Sequence, residues 1–201
     1  MKTTCALSRA VFILAILLSP SLHAQTAGYA SSIEEIKVSA STTKEKVDDR
    51  QVVEATLLST SFKSNGKKYL YKVDFNAECE IRRFSIGSGS DNGNNSELVA
   101  AVRVWALLDG QVIPIASNEA VERDNIISLC SQLEWDEASR GNRDDLVSTP
   151  GFSWVTNNVV KGSHQLEIKA ELYAAAKSGP QAGNGATARV GKRIVTVNQF
   201  R

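Results

Sequence analysis

From Tyr69 to Ile81, every second residue is apolar: Tyr69, Tyr71, Val73, Phe75, Ala77, Cys79 and Ile81. Between them stand Leu70, Lys72, Asp74, Asn76, Glu78 and Glu80, polar at all but one position. A helix turns about 100° per residue and would scatter these side chains around its circumference. A strand turns them to alternate faces, so a period of two over thirteen residues predicts one buried and one wet face of a sheet. This run limits the chain to folds built around a half-buried sheet, and it puts Cys79 on the buried face.

Other segments repeat the pattern. Val52 to Phe62 is rich in Val, Thr, Leu and Phe, and Asn65-Gly66 separates it from the 69–81 run. Asn-Gly between β-type segments predicts a hairpin, because both residues accept positive φ. Leu98 to Leu108, Asp109-Gly110 and Gln111 to Ala116 predict a second hairpin. Its first arm is apolar in both phases and is expected to be covered on both faces. Leu166, Ile168, Ala170 and Leu172 alternate with polar residues, as do Ala186, Ala188 and Val190, which suggests a third pair around the Gly- and Ser-rich stretch 178–185. The apolar phase slips near Gly191, as a β-bulge would make it do. Phe152 to Val160 reads as a strand ending at Lys161-Gly162. Ile36 to Ala40 reads as a strand leading into a charged loop, although Ser32 and Glu35 mimic a helix-capping pair. Ile126 to Trp135 fits a strand or a short helix.

About eight strands joined by turn residues predict an all-β fold, an antiparallel β-sandwich of jelly-roll or immunoglobulin-like topology. The Cys79 to Cys130 separation, with Trp105 between, resembles that of immunoglobulin domains, although Trp105 lies nearer the middle of the interval.

Residues 1–24 have a different character. Lys2 and Arg9 precede an apolar run from Ala10 to Leu18, Ser19-Pro20 interrupts it, and Ala24 offers a small residue before Gln25. This is the layout of a signal peptide, and the run is too short to span a bilayer. The expected organisation is a signal peptide at 1–24, an N-terminal extension or edge strand at 25–50, and a β-sandwich domain at 51–201. The product is expected to be exported, periplasmic or extracellular, with no membrane span. Removing 24 of the 201 residues leaves 177 and takes away Lys2 and Arg9, so 23 basic residues become 21 against 22 acidic ones. A charge so close to zero gives no footing for a nucleic-acid partner. Cys79 and Cys130 are then the only cysteines, and in an oxidising compartment they are expected to form one disulfide.

Catalytic signatures are sparse. His164 is the one imidazole left after cleavage, and with no orienting partner in view it is expected at an exposed strand edge. Gly185 to Lys192 imitates a phosphate loop, but it has one residue too many before Gly191 and Arg193 where a magnesium-binding hydroxyl belongs. Trp135, Asp136 and Glu137, with Asp144 and Asp145, combine an aromatic ring and carboxylates as sugar sites do. Asp91, Asn95 and Glu97 carry hard oxygen ligands suited to calcium, the one ion for which the chain offers ligands; no other cofactor is expected. Asn94-Asn95-Ser96 is a glycosylation sequon. The reading that follows is an exported, non-enzymatic β-sandwich that binds a protein or glycan through end loops 84–97 and 134–151. The alternatives are a subunit of a surface assembly joined by strand addition, with residues 25–49 as donor, and a carbohydrate-active enzyme using the carboxylates near Trp135.

Overall fold

The computed structural model describes residues 24–43, 45–84, 97–114, 126–132, 143–177 and 184–201. Among them lie eleven strand segments: β1 (Gln25–Ser32), β2 (Ile36–Ser41), β3 (Asp48–Ser64), β4 (Leu70–Phe84), β5 (Glu97–Leu108), β6 (Gln111–Val112), β7 (Ile127–Gln132), β8 (Arg143–Ser148), β9 (Gly151–Thr156), β10 (Gly162–Lys177) and β11 (Gly185–Phe200). All pairings are antiparallel. In one sheet β11 and β4 lie side by side; β1 and β2 share the outer side of β11, and β8 and β9 share the outer side of β4. In the other, β3, β10 and β5 follow one another, with β6 and β7 sharing the far side of β5. The two sheets bury their inner faces in one common core. The predicted β-sandwich is thus observed. Its eleven segments fill four positions per sheet, because three of the outer positions are each split between two short segments.

The alternation in β4 decides its orientation. Tyr71, Val73, Phe75, Ala77, Cys79 and Ile81 are all 3% exposed or less. Opposite them, Leu166, Ile168, Ala170, Leu172, Ala174 and Ala176 of β10 are equally buried. The core is graded along its length. Tyr71, Phe75, Trp154 and Phe62 fill one end, while Ala40, Ala100, Ala174, Ala176, Ala186 and Ala188 line the other. Cys79 of β4 and Cys130 of β7 form a disulfide, with Cα atoms 6.3 Å apart. It ties the two sheets to each other through the core. Residues 127–132 are therefore strand, not helix.

Two of the three expected hairpins are not hairpins. β3 pairs with β10 and β4 pairs with β11, so the Asn65-Gly66 turn carries the chain from one sheet to the other. Gly66 has the anticipated positive φ of 113°. The apolar faces of the two arms meet across the core, where the Phe62 and Tyr71 rings lie 5.4 Å apart. Likewise β10 and β11 belong to different sheets, because β3 and β5 already occupy both edges of β10. The Asp109-Gly110 hairpin does form: φ is 50° and 79°, the two positive values of a type I′ turn. Its second arm pairs over Gln111–Val112, Ile113 N then donates to Ala106 O at 2.9 Å, and residues 115–116 lie outside the described residues. β5 buries Ala100, Val102, Val104 and Ala106, whereas Val99, Trp105 and Leu107 on the other phase stay partly exposed, so the strand is not covered on both faces. β9 stops at Thr156, short of Val160, and Asn158 follows with φ of 60°. Residues 36–41 are strand, as expected, and Ser32 Oγ accepts from Glu34 N in a turn without opening a helix.

Midway along the sandwich the strands are irregular. The β11–β4 register shifts between Val190 and Arg193, at the predicted bulge. A Cβ on Gly191 would lie 2.6 Å from a Glu78 carboxylate oxygen, so a larger residue there would have to displace that side chain. The β3–β10 register skips Leu57. The chain leaves β11 between β1 and β2 at residues 33–35. Arg193 occupies the space between these three irregularities, only 5% exposed. Its Nε donates to Leu57 O at 2.8 Å, and its Nη1 donates to Gly191 O at 3.0 Å and to Glu34 O. Burial pushes the guanidinium pKa down, and a fixed set of carbonyl acceptors holds the charge in place.

Two stability measurements check these assignments. Replacing both Cys79 and Cys130 by Ala is expected to lower unfolding free energy by about 2–4 kcal/mol, read as a lower urea midpoint. A midpoint unchanged from that of the oxidised protein would dismiss the cross-sheet tie. Arg193→Met is expected to cost about 3 kcal/mol because three carbonyls lose their donor. The unfolding is followed through the fluorescence of buried Trp154, and a loss below about 1 kcal/mol would remove Arg193 from this role.

Candidate functional site: the loop end of the sandwich

Strand register fixes where the chain turns back. Gly185 pairs with both Phe84 and Ser41, and Phe84 pairs with Arg143. Lys177 pairs with both Asp48 and Glu97, and Ala100 pairs with Gln132. These are strand termini, and all lie at the alanine-lined end. The connections 42–47, 85–96, 133–142 and 178–184 therefore all leave and re-enter at one end of the molecule.

The described part of this end is well anchored. Thr42 N donates to Asn184 O at 2.8 Å, and Asn184 N donates back to Thr42 Oγ1 at 3.0 Å. Asp49, nearly buried, accepts from Ser41 N at 2.9 Å, Gln51 Nε2 at 2.7 Å and Lys46 Nζ at 2.5 Å. The Lys46 bond is the largest cause, ahead of the other two, that lowers its pKa to about 2. The small alanines below let the sheets approach closely enough for β2 and β3 to share this carboxylate. On the outer face nearby, Glu80 is 2% exposed beneath Arg82 and Arg189, and Arg189 also reaches Glu35 at 2.9 Å. The result is a hydrogen-bonded, charge-paired rim.

Of the residues singled out in the sequence, Glu97, Asp144 and Asp145 lie in described strands at this end. Asp144 and Asp145 lie in β8, in register with Arg83 and Arg82 respectively. The stretch 134–151 is thus partly strand. Glu97 is the first residue of β5. Trp135, Asp136, Glu137, Asp91 and Asn95 lie outside the described residues. Among the described residues, no group of three or more His, Cys, Asp or Glu could hold a metal ion. The Gly185 to Lys192 stretch is continuous strand. Residues 25–32 and 36–41, considered as a donor segment, pair with the chain's own β11.

The opposite end is tied shut by side chains. Tyr71 OH lies 2.7 Å from Ser64 Oγ, accepts from Asn65 N at 3.0 Å and contacts Gln199 Oε1 at 3.2 Å. His164 is here too, and it is not the exposed edge residue expected. It is 8% exposed, its ring 5.7 Å from Phe62. Its Nδ1 is 2.6 Å from Asp109 Oδ2 and its Nε2 is 2.8 Å from Val160 O. Both neighbours are acceptors, so only the doubly protonated imidazolium donates to both. The Asp109 bond is the main cause raising the His164 pKa, burial opposes it, and the Val160 carbonyl adds to the rise. For Asp109 the largest influence is burial, which opposes ionisation; the bonds from Gln165 N and His164 outweigh it and lower the pKa. The missed signal was phase: His164 stands two residues before Leu166 and four before Ile168, on the inward face of β10.

No family model matches this chain, and no curated protein matches it. Solved structures similar to it include capsid structures of infectious bursal disease virus. The Gx strain structure has 11% identity and a TM-score of 0.28, over 94% of this chain and 44% of that one. The VP2 subviral particle has 11% identity and a TM-score of 0.26, over 94% and 45%. The Gt strain structure has 10% identity and a TM-score of 0.22, over 100% and 48%. The chain thus spans less than half the length of each. With TM-scores this low, the likeness carries no argument about function.

The His164 geometry predicts a pH dependence. A raised His pKa gives stability that is complete below the unfolded value of 6.5 and is lost as pH rises through the folded value. A lowered Asp109 pKa gives stability present above 3.8 and lost as pH falls through the folded value. The pair therefore stabilises most between about pH 4 and about pH 6.5. Urea midpoints at about pH 5.5 and about pH 8.5 should differ less in His164→Gln than in the unaltered chain. Equal differences would show that His164 is not charged in the fold.

Proposed function

We propose that this chain is an exported, non-enzymatic β-sandwich that acts as a binding or surface-interaction module through its loop end. The observation that carries the proposal is that the strand termini flanking the long connections 85–96, 133–142 and 178–184 all lie at one end, beside the hydrogen bonds of Thr42, Asp49 and Asn184. Loops held at the end of a rigid sandwich are a recurrent recognition surface, because the scaffold limits the ordering they must undergo on binding. The closed end, by contrast, spends its polar groups on one another. The non-enzymatic part is supported by His164, whose two ring nitrogens are both engaged by acceptors, leaving none for general-base work.

Export is supported by two features. β1 begins at Gln25, the residue after the expected cleavage point, so removal of residues 1–24 takes away no described strand. The Cys79–Cys130 disulfide suits an oxidising compartment. The chemistry around residues 134–145 makes a glycan or a protein the ligand class to screen first, with and without calcium.

The test starts from a glycan array and a cell-surface protein capture, each run with the intact chain. Any ligand found is then measured against a variant with 85–96 and 133–142 both replaced by short Gly-Ser linkers. Binding should fall by at least tenfold while the unfolding free energy from urea stays within about 1 kcal/mol of the original. A matched variant altered at the Asn65-Gly66 turn should bind normally. Retained affinity after replacement of both loops would rule out the loop end as the recognition surface.

A further inference from the structure

Gln25 has a chemical consequence that rests on the export reading above. Cleavage after Ala24 makes Gln25 the first residue of the chain, with a free α-amine beside its own side-chain amide. Its structural setting leaves that side chain available: Gln25 is exposed, it opens the edge strand β1, and its backbone is in register with Gln199 of β11. We propose that Gln25 is a modification site, closing to an N-terminal pyroglutamyl lactam in the mature protein.

The step is an internal acyl transfer. The neutral α-amine attacks Cδ of the Gln25 amide, the new N–Cδ bond forms, and the Cδ–Nε2 bond breaks. The leaving nitrogen takes one proton from the attacking amine and departs as ammonia. No oxidant, reductant or co-reactant is needed. An α-amine titrates near about 8, so a reactive neutral fraction is present at ordinary pH. The fold accepts the product. A five-membered ring on the backbone nitrogen, such as proline carries, is tolerated at the first residue of an edge strand. Unlike proline, the lactam keeps one N–H for the sheet. The reaction removes the terminal positive charge and gives β1 an end that aminopeptidases do not recognise. This protects a strand whose Ala27 and Ala30 pack against the core.

The test uses the full chain, expressed with residues 1–24 in an exporting host and recovered from the exported fraction. Its N-terminal peptide is sequenced and weighed by mass spectrometry. The expected result is a peptide beginning at position 25 and lighter by one ammonia than its sequence requires. The same protein should resist aminopeptidase, whereas Gln25→Asn, which cannot close this ring, should carry its full mass and be trimmed. A peptide that begins at Gln25 and keeps its full mass after prolonged incubation at neutral pH overturns the lactam and leaves export standing. A peptide that begins elsewhere, or a chain that retains residues 1–24, overturns both.

Discussion

The sandwich depends on how it deals with its own middle. Three interruptions meet there: the break between β1 and β2, the extra residue Leu57 in β3, and the bulge at Gly191. Each frees backbone carbonyls from the regular ladder, and an unsatisfied carbonyl in the interior is costly. One guanidinium, from Arg193, answers all three. Arginine suits this place because its donors form a rigid fork and its charge is weakly hydrated, so it pairs well with several oxygens at once. The bulge itself sets Arg193 on the inward side, since a slip in register turns every later side chain to the other face. Val195 and Val197 follow it into the core for the same reason.

The two ends on either side of this waist differ. Toward the closed end the core is aromatic, and the turns are tied by Tyr71, Gln199, Asp109 and His164. Toward the loop end the core is lined by alanine. Small side chains there leave room for the edges of both sheets to come together around Asp49 and Asn184. The disulfide lies between these regions and joins β4 to β7, an outer segment of the opposite sheet whose one hydrogen-bonded partner among the described strands is β5. A covalent tie is most useful at such a short strand, which contributes few ladder bonds of its own.

Much of this was legible in the chain. The strands of 69–81, 165–172 and 186–190, the bulge at Gly191, the turn at Asp109-Gly110 and the cysteine pair all follow from short-range chemistry. What failed was adjacency. Asn65-Gly66 announced a turn, but five residues separate Ser64 from Leu70, enough to cross from one sheet to the other. The pattern of either arm is the same whether its partner lies beside it or opposite it. His164 was misjudged for a related reason, since Asp109 is 55 positions away and becomes its neighbour only when β5 pairs with β10. Asp144 and Asp145 read as members of an acidic loop because the strand they pair with, β4, lies far away in sequence.

The sequence by itself determined the inward faces of 69–81, 166–172 and 186–190, the bulge at Gly191, the turn at Asp109-Gly110 and which cysteines join, because side-chain alternation, positive-φ turns and thiol count are local properties. Only the tertiary structure decided which strands share a sheet, that Arg193 holds the waist, that His164 meets Asp109, and that the strand termini flanking the long connections lie at one end. Those outcomes depend on contacts between positions tens to more than a hundred residues apart. Local preference is nearly silent about them, and the packing of two apolar faces settles them together.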